Sequence, residues 1–237
     1  MDSKTFVLVH GAWHGGWCYS RVRKILQQKG HSVFTPSLSG LAEHSHQYSP
    51  AINASTHIQD IVNLIEFEQL NDVVLAGHSY GGQIITGVAD RLSDRIRALV
   101  YIDAFVGQNG KSCFDMDIPE FVANHVEQAQ NHGGHTSIPF SAHLFGVNEA
   151  DRAWVDKMCT PHPFATLAER ISLSGAHETI KNRTYIFAAG WHPSPFKPIY
   201  EQIKMQPGWK LHELECGHDT MIDMPHETAQ ILLEAAG

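Results

Sequence analysis

The chain alternates short apolar runs with stretches in which apolar residues recur every three or four positions. Thr5-Phe6-Val7-Leu8-Val9 is almost continuously apolar and predicts a buried strand. Arg21 to Gln28 predicts a helix closed by Gly30. Ser32-Val33-Phe34 predicts a second strand, stopped by Pro36. Ile58, Ile61, Val62 and Ile65 share one helical face, with Ser55 and Thr56 as expected caps. Val73-Val74-Leu75-Ala76 predicts a third strand, Ile84 to Leu92 a helix, and Ile96 to Ile102 a fourth strand. Strands apolar on both faces and joined through helices predict an α/β fold with a parallel sheet covered by helices.

From Phe105 to about Lys181 the alternation stops. No clear strand is expected there, although Phe121, Val122 and Val126 keep helical spacing. Strand patterns return at Tyr185-Ile186-Phe187-Ala188 and at Trp209 to Leu214, and a last helix is expected from His226 to Ala235. An insertion between two sheet strands is expected to form a cap or lid over a site. No linker or internal repeat interrupts the chain. The expectation is one domain over 1–237, with a cap insertion at about 106–181.

Composition narrows the function classes. The 237 residues suffice for one well-buried core, and 43% hydrophobic with 18% charged residues is a globular balance. A formal net charge of −8 lacks the footprint of a nucleic-acid binder. The densest basic cluster, Arg21, Arg23 and Lys24, is too small for a membrane-binding patch. No apolar run approaches the length of a membrane span, and Phe6 to Val9 is too short for a signal-peptide core. Cys18, Cys113, Cys159 and Cys216 are scattered, with no Cys-x-x-Cys pair, which predicts free thiols. Together these predict a cytoplasmic protein with no membrane partner. The 17 histidines prompt a test for metal spacing. Glycines separate His10 from His14, His44 and His46 have only Glu43 beside them, and no His-Glu-x-x-His occurs. No metal and no other cofactor is expected.

The strongest chemical signal is Gly77-His78-Ser79-Tyr80-Gly81-Gly82, between an expected strand and an expected helix. This is the Gly-x-Ser-x-Gly pattern of a nucleophile elbow. A sharp strand-to-helix turn lifts the serine hydroxyl above the sheet edge, and a side chain at Gly77 or Gly81 would collide with neighbouring backbone. A phosphate-binding loop would need Gly-x-Gly-x-x-Gly or a terminal Gly-Lys-Ser/Thr, and neither is present. Ser79 is therefore the expected nucleophile. A second glycine-rich loop, His10-Gly11-Ala12-Trp13-His14-Gly15-Gly16-Trp17, follows the first strand. Near the C-terminus, Glu215-Cys216-Gly217-His218-Asp219 follows the last strand.

With these three motifs the chain resembles the α/β-hydrolase superfamily over nearly its whole length. It is most similar to the compact branch holding plant methyl esterases, hydroxynitrile lyases and related bacterial esterases. The likeness is weakest from about Phe105 to Lys181. It implies that the amides of Ala12 and Tyr80 form the oxyanion hole and that His218 is the general base for Ser79. His78 and His226 are poorer bases by position. The orienting acid departs from the usual pattern: the loop after the penultimate strand, Ala188-Ala189-Gly190-Trp191-His192-Pro193-Ser194-Pro195, has no carboxylate. Some superfamily members take the acid from the preceding strand. Asp103 stands there, at the C-terminal tip of an apolar strand, and keeps the order Ser, acid, His. Asp115, Asp117 and Glu120 in the insertion remain alternatives.

The cap offers Phe114, Phe121, Phe140, Leu144, Phe145, Trp154 and Phe164 as apolar surface, and the sheet-edge loops add Trp13, Phe105 and Trp191 to the expected pocket. The expected function is hydrolysis of a small, largely apolar carboxylic ester through an acyl-enzyme. A small-molecule ester is the expected partner, and a homodimer is left open. Two other readings compete. For cyanohydrin cleavage the hydroxynitrile lyases it resembles use a lysine near the catalytic histidine, and Gly217 to Met224 contains none. A ligand receptor could keep the pocket without turnover.

Overall fold

A computed structural model describes residues 2–237. Its main sheet has six strands in the order β2-β1-β3-β4-β7-β8, every pairing parallel. The sheet strands are β1 (Thr5–Val9), β2 (Ser32–Phe34), β3 (Val73–His78) and β4 (Ile96–Ile102), followed after the insertion by β7 (Arg183–Ala188) and β8 (Trp209–Leu214). Inside the insertion, β5 (Thr136–Ser137) and β6 (His162–Pro163) form a two-residue antiparallel pair. Pattern reading expected no strand there, because two residues carry no periodicity.

The helices before the insertion are α1 (Ser20–Gln28), α2 (Ala54–Phe67) and α3 (Gly81–Arg91). The insertion holds α4 (Cys113–Met116), α5 (Pro119–Asn131), α6 (Glu149–Met158) and α7 (Phe164–Ala168). After it come α8 (Lys197–Lys204), α9 (Thr220–Asp223) and α10 (Pro225–Ala236). The central strands are apolar on both faces because helices cover both: all six residues of β3 are buried, as are all but one of β4.

One expected cap moves. The N-cap of α2 is Asn53, whose Oδ1 accepts the Thr56 amide at 2.9 Å, while the Asn53 amide donates to the Thr56 hydroxyl oxygen. Ser55 instead donates its amide and hydroxyl to Glu169 of the insertion, at 2.7 and 2.8 Å. A carboxylate at this helix N-terminus meets free N–H groups and the positive end of the dipole, so it ties the insertion to the sheet layer. A second tie joins Arg21 on α1 to Asp151 on α6 through two bonds of 2.7 and 2.6 Å. After α5, residues His132 to His135 form an exposed turn, as the paired glycines predict.

Candidate active site

The elbow forms where β3 meets α3. Ser79 has φ +54°, a left-handed conformation costly for any residue with a Cβ. The turn holds it there. The Ser79 amide donates to the Ile102 carbonyl at 3.1 Å, and its own carbonyl accepts the Gly82 and Phe105 amides at 3.0 and 3.2 Å. A Cβ at Gly77 would lie 2.5 Å from the Gly81 carbonyl oxygen, and one at Gly81 would lie 2.7 Å from those of Val9 and His10. Both glycines are therefore demanded by close backbone approach.

Asp103 sits one strand over, just past β4, also left-handed at φ +41°. Its amide donates to the Ile186 carbonyl at 2.7 Å, and the Tyr185 hydroxyl grips the next residue by bonding both the amide and the carbonyl of Ala104. The Asp103 carboxylate is fully buried. Its Oδ1 accepts the Ala188 amide at 3.2 Å, and its Oδ2 lies 2.6 Å from Nδ1 of His218. The structure thus brings Asp103 to His218. The alternatives do not bond it: Asp115 is bound by Arg170 at 2.8 and 3.0 Å, Glu120 is exposed, and Asp117 accepts the Ile118 amide.

His218 is 3% exposed, anchored by its amide to the Phe145 carbonyl at 2.8 Å. Its ring stacks on Phe196 at 5.2 Å and on Trp191 at 4.4 Å. With Nδ1–H directed at Asp103, Nε2 is left for the cavity that His218 shares with Ser79. Burial pulls the imidazole down to about 3, opposed by Asp219, so it rests neutral at pH 7. Burial also pushes the Asp103 carboxyl up, against the Ala188 amide.

The loop Ala12 to Trp17 closes the other side. Neither the Ala12 nor the Tyr80 amide donates to another protein group among the described residues, and both residues line the cavity with Ser79. Trp13, left-handed at φ +64°, joins this loop to the insertion. Its amide donates to His162 Nδ1 at 3.2 Å, its indole to the Ser137 carbonyl at 3.1 Å, and its carbonyl accepts from Thr160 at 2.9 Å. Expected only as a pocket wall, it also anchors the insertion.

Behind the site lies a buried ion pair that sequence reasoning missed. His14 Nε2 is 3.1 Å from Asp219 Oδ2, and His14 Nδ1 is 2.8 Å from the Ala12 carbonyl. Both neighbours are acceptors, so the ring needs both protons and is an imidazolium. Asp219 raises the His14 pKa, while His14, with His78 and His218, holds the Asp219 carboxyl well below its usual range. The pair links the residue after His218 to the residue whose amide faces the cavity. Its one sequence signal is a histidine inside the glycine loop and an acid directly after His218. Asp219→Asn leaves a buried imidazolium without its anion, and such a break costs about 3–5 kcal/mol. Thermal denaturation is expected to show a midpoint lower by roughly 10 °C.

His78, set aside as a base, packs its ring 4.3 Å from His218 and bonds the His218 carbonyl through Nε2 at 3.2 Å. His78, His218 and Asp219 are the one trio among the described residues with donor atoms close enough for a metal ion. Each is already engaged: His78 with that carbonyl, His218 with Asp103, Asp219 with His14. Other buried histidines brace loops. His10 bridges the Gly11 carbonyl and the Leu38 amide, and His57 bridges Tyr80 and Ser39. The four cysteines are free.

The cavity above Ser79 and His218 is lined by Trp13, Phe105, Phe114, Phe121, Phe140, Phe145, Trp191 and Phe196, so the three expected pocket residues all reach it. About 450 Å³ is free of atoms, counting its mouth. Three residues expected to line it do not. Leu144 is 47% exposed, Trp154 packs on Trp17, and Phe164 backs Phe114. No helix among the described residues is long and apolar enough to cross a membrane.

Comparison with known proteins agrees with this architecture. The model of the alpha/beta hydrolase family matches residues 6–231. A carbendazim hydrolyzing esterase from Nocardioides sp. (strain SG-4G) is 42% identical over 236 residues, covering 96% of this chain and 97% of the relative. The putative methylesterase 11, chloroplastic, of Arabidopsis thaliana is 25% identical, covering 100% of this chain and 65% of its own length. Among solved structures, an extracellular alpha/beta-hydrolase from a Paenibacillus species superposes with a TM-score of 0.85 at 25% identity, covering 98% of each chain. With the elbow and the parallel sheet in place, and the family model matched almost end to end, this chain is a member of the alpha/beta hydrolase family.

Proposed function

We propose that the protein is a serine esterase that cleaves a small, largely apolar carboxylic ester through an acyl-enzyme. The observation that carries this reading is the His218 Nδ1 to Asp103 Oδ2 contact of 2.6 Å beside a strained Ser79 in one aromatic cavity. The relatives' names, an esterase acting on carbendazim and a putative methylesterase, support the bond class.

In this reading Ser79 Oγ attacks the acyl carbon while its proton passes to His218 Nε2. Asp103 holds the imidazole in the Nδ1–H tautomer and stabilises the imidazolium that forms. The carbonyl oxygen becomes an oxyanion facing the amides of Ala12 and Tyr80, which are already oriented. Collapse expels the alcohol, which takes the proton from His218, and water repeats the sequence to release the acid. The His14–Asp219 pair holds the Ala12 carbonyl and so steadies the donor loop.

Fluorophosphonate labelling, run with p-nitrophenyl acetate and butyrate, tests the reading. Stoichiometric labelling at Ser79 with fast turnover is expected. Labelling without turnover would favour a receptor, and no labelling would remove Ser79 as the nucleophile.

The acid limb of kcat/KM should lie below pH 6.5. His218 must be neutral to act, and burial lowers its pKa. An unperturbed imidazole would leave only about a tenth of the base active at pH 5.5. Here activity at pH 5.5 is expected to stay within about twofold of that at pH 7.5, measured with a non-titrating ester in short assays.

A further inference from the structure

A second cavity lies over Leu99, Arg183 and Trp209, which pair in a row across β4, β7 and β8. It shares no lining residue with the cavity above Ser79. The opening follows from the route of the chain. A crossover between parallel strands ordinarily lays a helix over the sheet. Here the crossover from β4 to β7 passes through the insertion. The chain leaves past Val106 and Gln108 and returns through the short turn Ala176–Thr179 and Lys181. Ile199 and Ile203 of α8 add an aliphatic wall. About 1220 Å³ is free of atoms, counting the mouth.

The charges of this cavity are not matched within the protein. Arg21, Arg97 and Arg170 each hold an aspartate. Arg183, half-buried at the start of β7, has no acid partner among the described residues. Its guanidinium carbon lies 4.8 Å over the Trp209 ring. The ring holds the guanidinium by its face and leaves the in-plane N–H groups for acceptors. Arg183 Nε and Trp209 Nε1 are both shielded from solvent with no acceptor among the described residues, so the wall holds donors in surplus. Lys181 donates to the Glu178 carbonyl at 2.8 Å, and His177 is taken by Asp90 at 2.9 Å. The Glu178 carboxylate is the one acid of the lining, against Lys181 and Arg183. The balance leaves a place for a single negative charge. We propose that this cavity is a second ligand site, for a small monocarboxylate with an apolar body. The carboxylate lies in the plane of the Arg183 guanidinium, where its two oxygens accept paired donors, and Lys181 adds a second positive charge. The body covers Leu99, Val106, Ile199 and Ile203. This site goes beyond the esterase reading and does not depend on it.

Calorimetric titration with octanoate at about pH 7.5, where a carboxylic acid is ionised, probes the site. Octanamide keeps the body without the charge and is expected to bind at least about 10-fold more weakly. Acetate keeps the charge without the body and is expected to bind at least about 100-fold more weakly. Arg183→Gln is expected to weaken octanoate by about 10- to 100-fold, and Arg183→Lys, which keeps the charge but loses the planar fork, by less. Lys181→Gln, at an exposed position, is expected to weaken it about threefold. Octanoate held in the aromatic cavity would not sense either residue. A Kd unchanged in Arg183→Gln, or no octanoate binding at all, overturns the proposal. Should Arg183→Gln fail to fold by circular dichroism, a Kd unchanged in Lys181→Gln overturns it instead. Octanamide binding as tightly as octanoate would remove the anionic head, and inorganic phosphate binding as tightly would remove the apolar body, and either result overturns it. Ser79→Ala is expected to bind octanoate as the wild type does, whatever becomes of the esterase reading, because Ser79 lines the other cavity.

Discussion

Asp103→Asn is expected to fold normally and to lower kcat by about 10⁴-fold. The reason lies in how the two carboxylate oxygens are used. Oδ1 accepts the Ala188 amide and Oδ2 accepts Nδ1–H of His218. An asparagine keeps the first bond only by giving its amide oxygen to Ala188. Its NH2 group then faces Nδ1, which must become an acceptor. The imidazole proton moves to Nε2, and the lone pair that should take the Ser79 proton is gone. Nothing in packing changes, and a buried charge is removed, so the melting temperature should not fall. Asp115→Asn and Glu120→Gln, away from His218, should keep near-normal turnover. Near-normal turnover in Asp103→Asn, with loss in either of the others, would reassign the acid.

Ser79→Ala is expected to be the most damaging single change to turnover, lowering kcat by at least about 10⁴-fold. It removes the atom that attacks the acyl carbon in the proposed mechanism but leaves the elbow intact, since alanine keeps the Cβ that the φ of +54° already accommodates. The amides of Ala12 and Tyr80 remain, so a residual rate above that of water should persist. The informative contrast is with Asp103→Asn. Fluorophosphonate should still modify Asp103→Asn, slowly, and should leave Ser79→Ala unmodified, read as adduct mass on the intact protein. An adduct on Ser79→Ala would place the nucleophile elsewhere.

The two variants also separate what could be read in the chain from what could not. Ser79 is legible because its constraints are local. The elbow needs glycines at fixed offsets and a strand before it, all within a few residues, and a Cβ at Gly77 or Gly81 does meet backbone. Asp103 is legible from its place at a strand tip, from the absence of a carboxylate between Ala188 and Pro195, and from the resemblance to superfamily members whose acid lies on this strand. Its partner is 115 residues away, and only the register of β4, β7 and β8 brings the strand tips together. The cap of α2 was misplaced for the opposite reason. Asn53, Ser55 and Thr56 are all good cappers locally, and the tie to Glu169, 114 residues on, takes Ser55 away from that role.

The insertion was least legible. Its aromatics offer the same apolar surface in sequence whether they face the site or back another ring. Phe140 and Phe145 line the cavity, whereas Trp154 and Phe164 do not. His14 and Asp219 are each unremarkable in sequence, and their meaning is a contact across 205 residues.

What the sequence by itself determined was the parallel α/β sheet, the strand-to-helix elbow that carries Ser79, and the loop after the last strand that carries His218. These rest on periodicity and on backbone chemistry that acts over a few residues. The tertiary structure alone decided that Asp103 meets His218, that Trp13 locks the insertion to the glycine loop, and which aromatics form the slot with Asp117 in its wall. Those are contacts between distant segments, set by strand register and by how the insertion packs, and neither leaves a periodic trace in the chain.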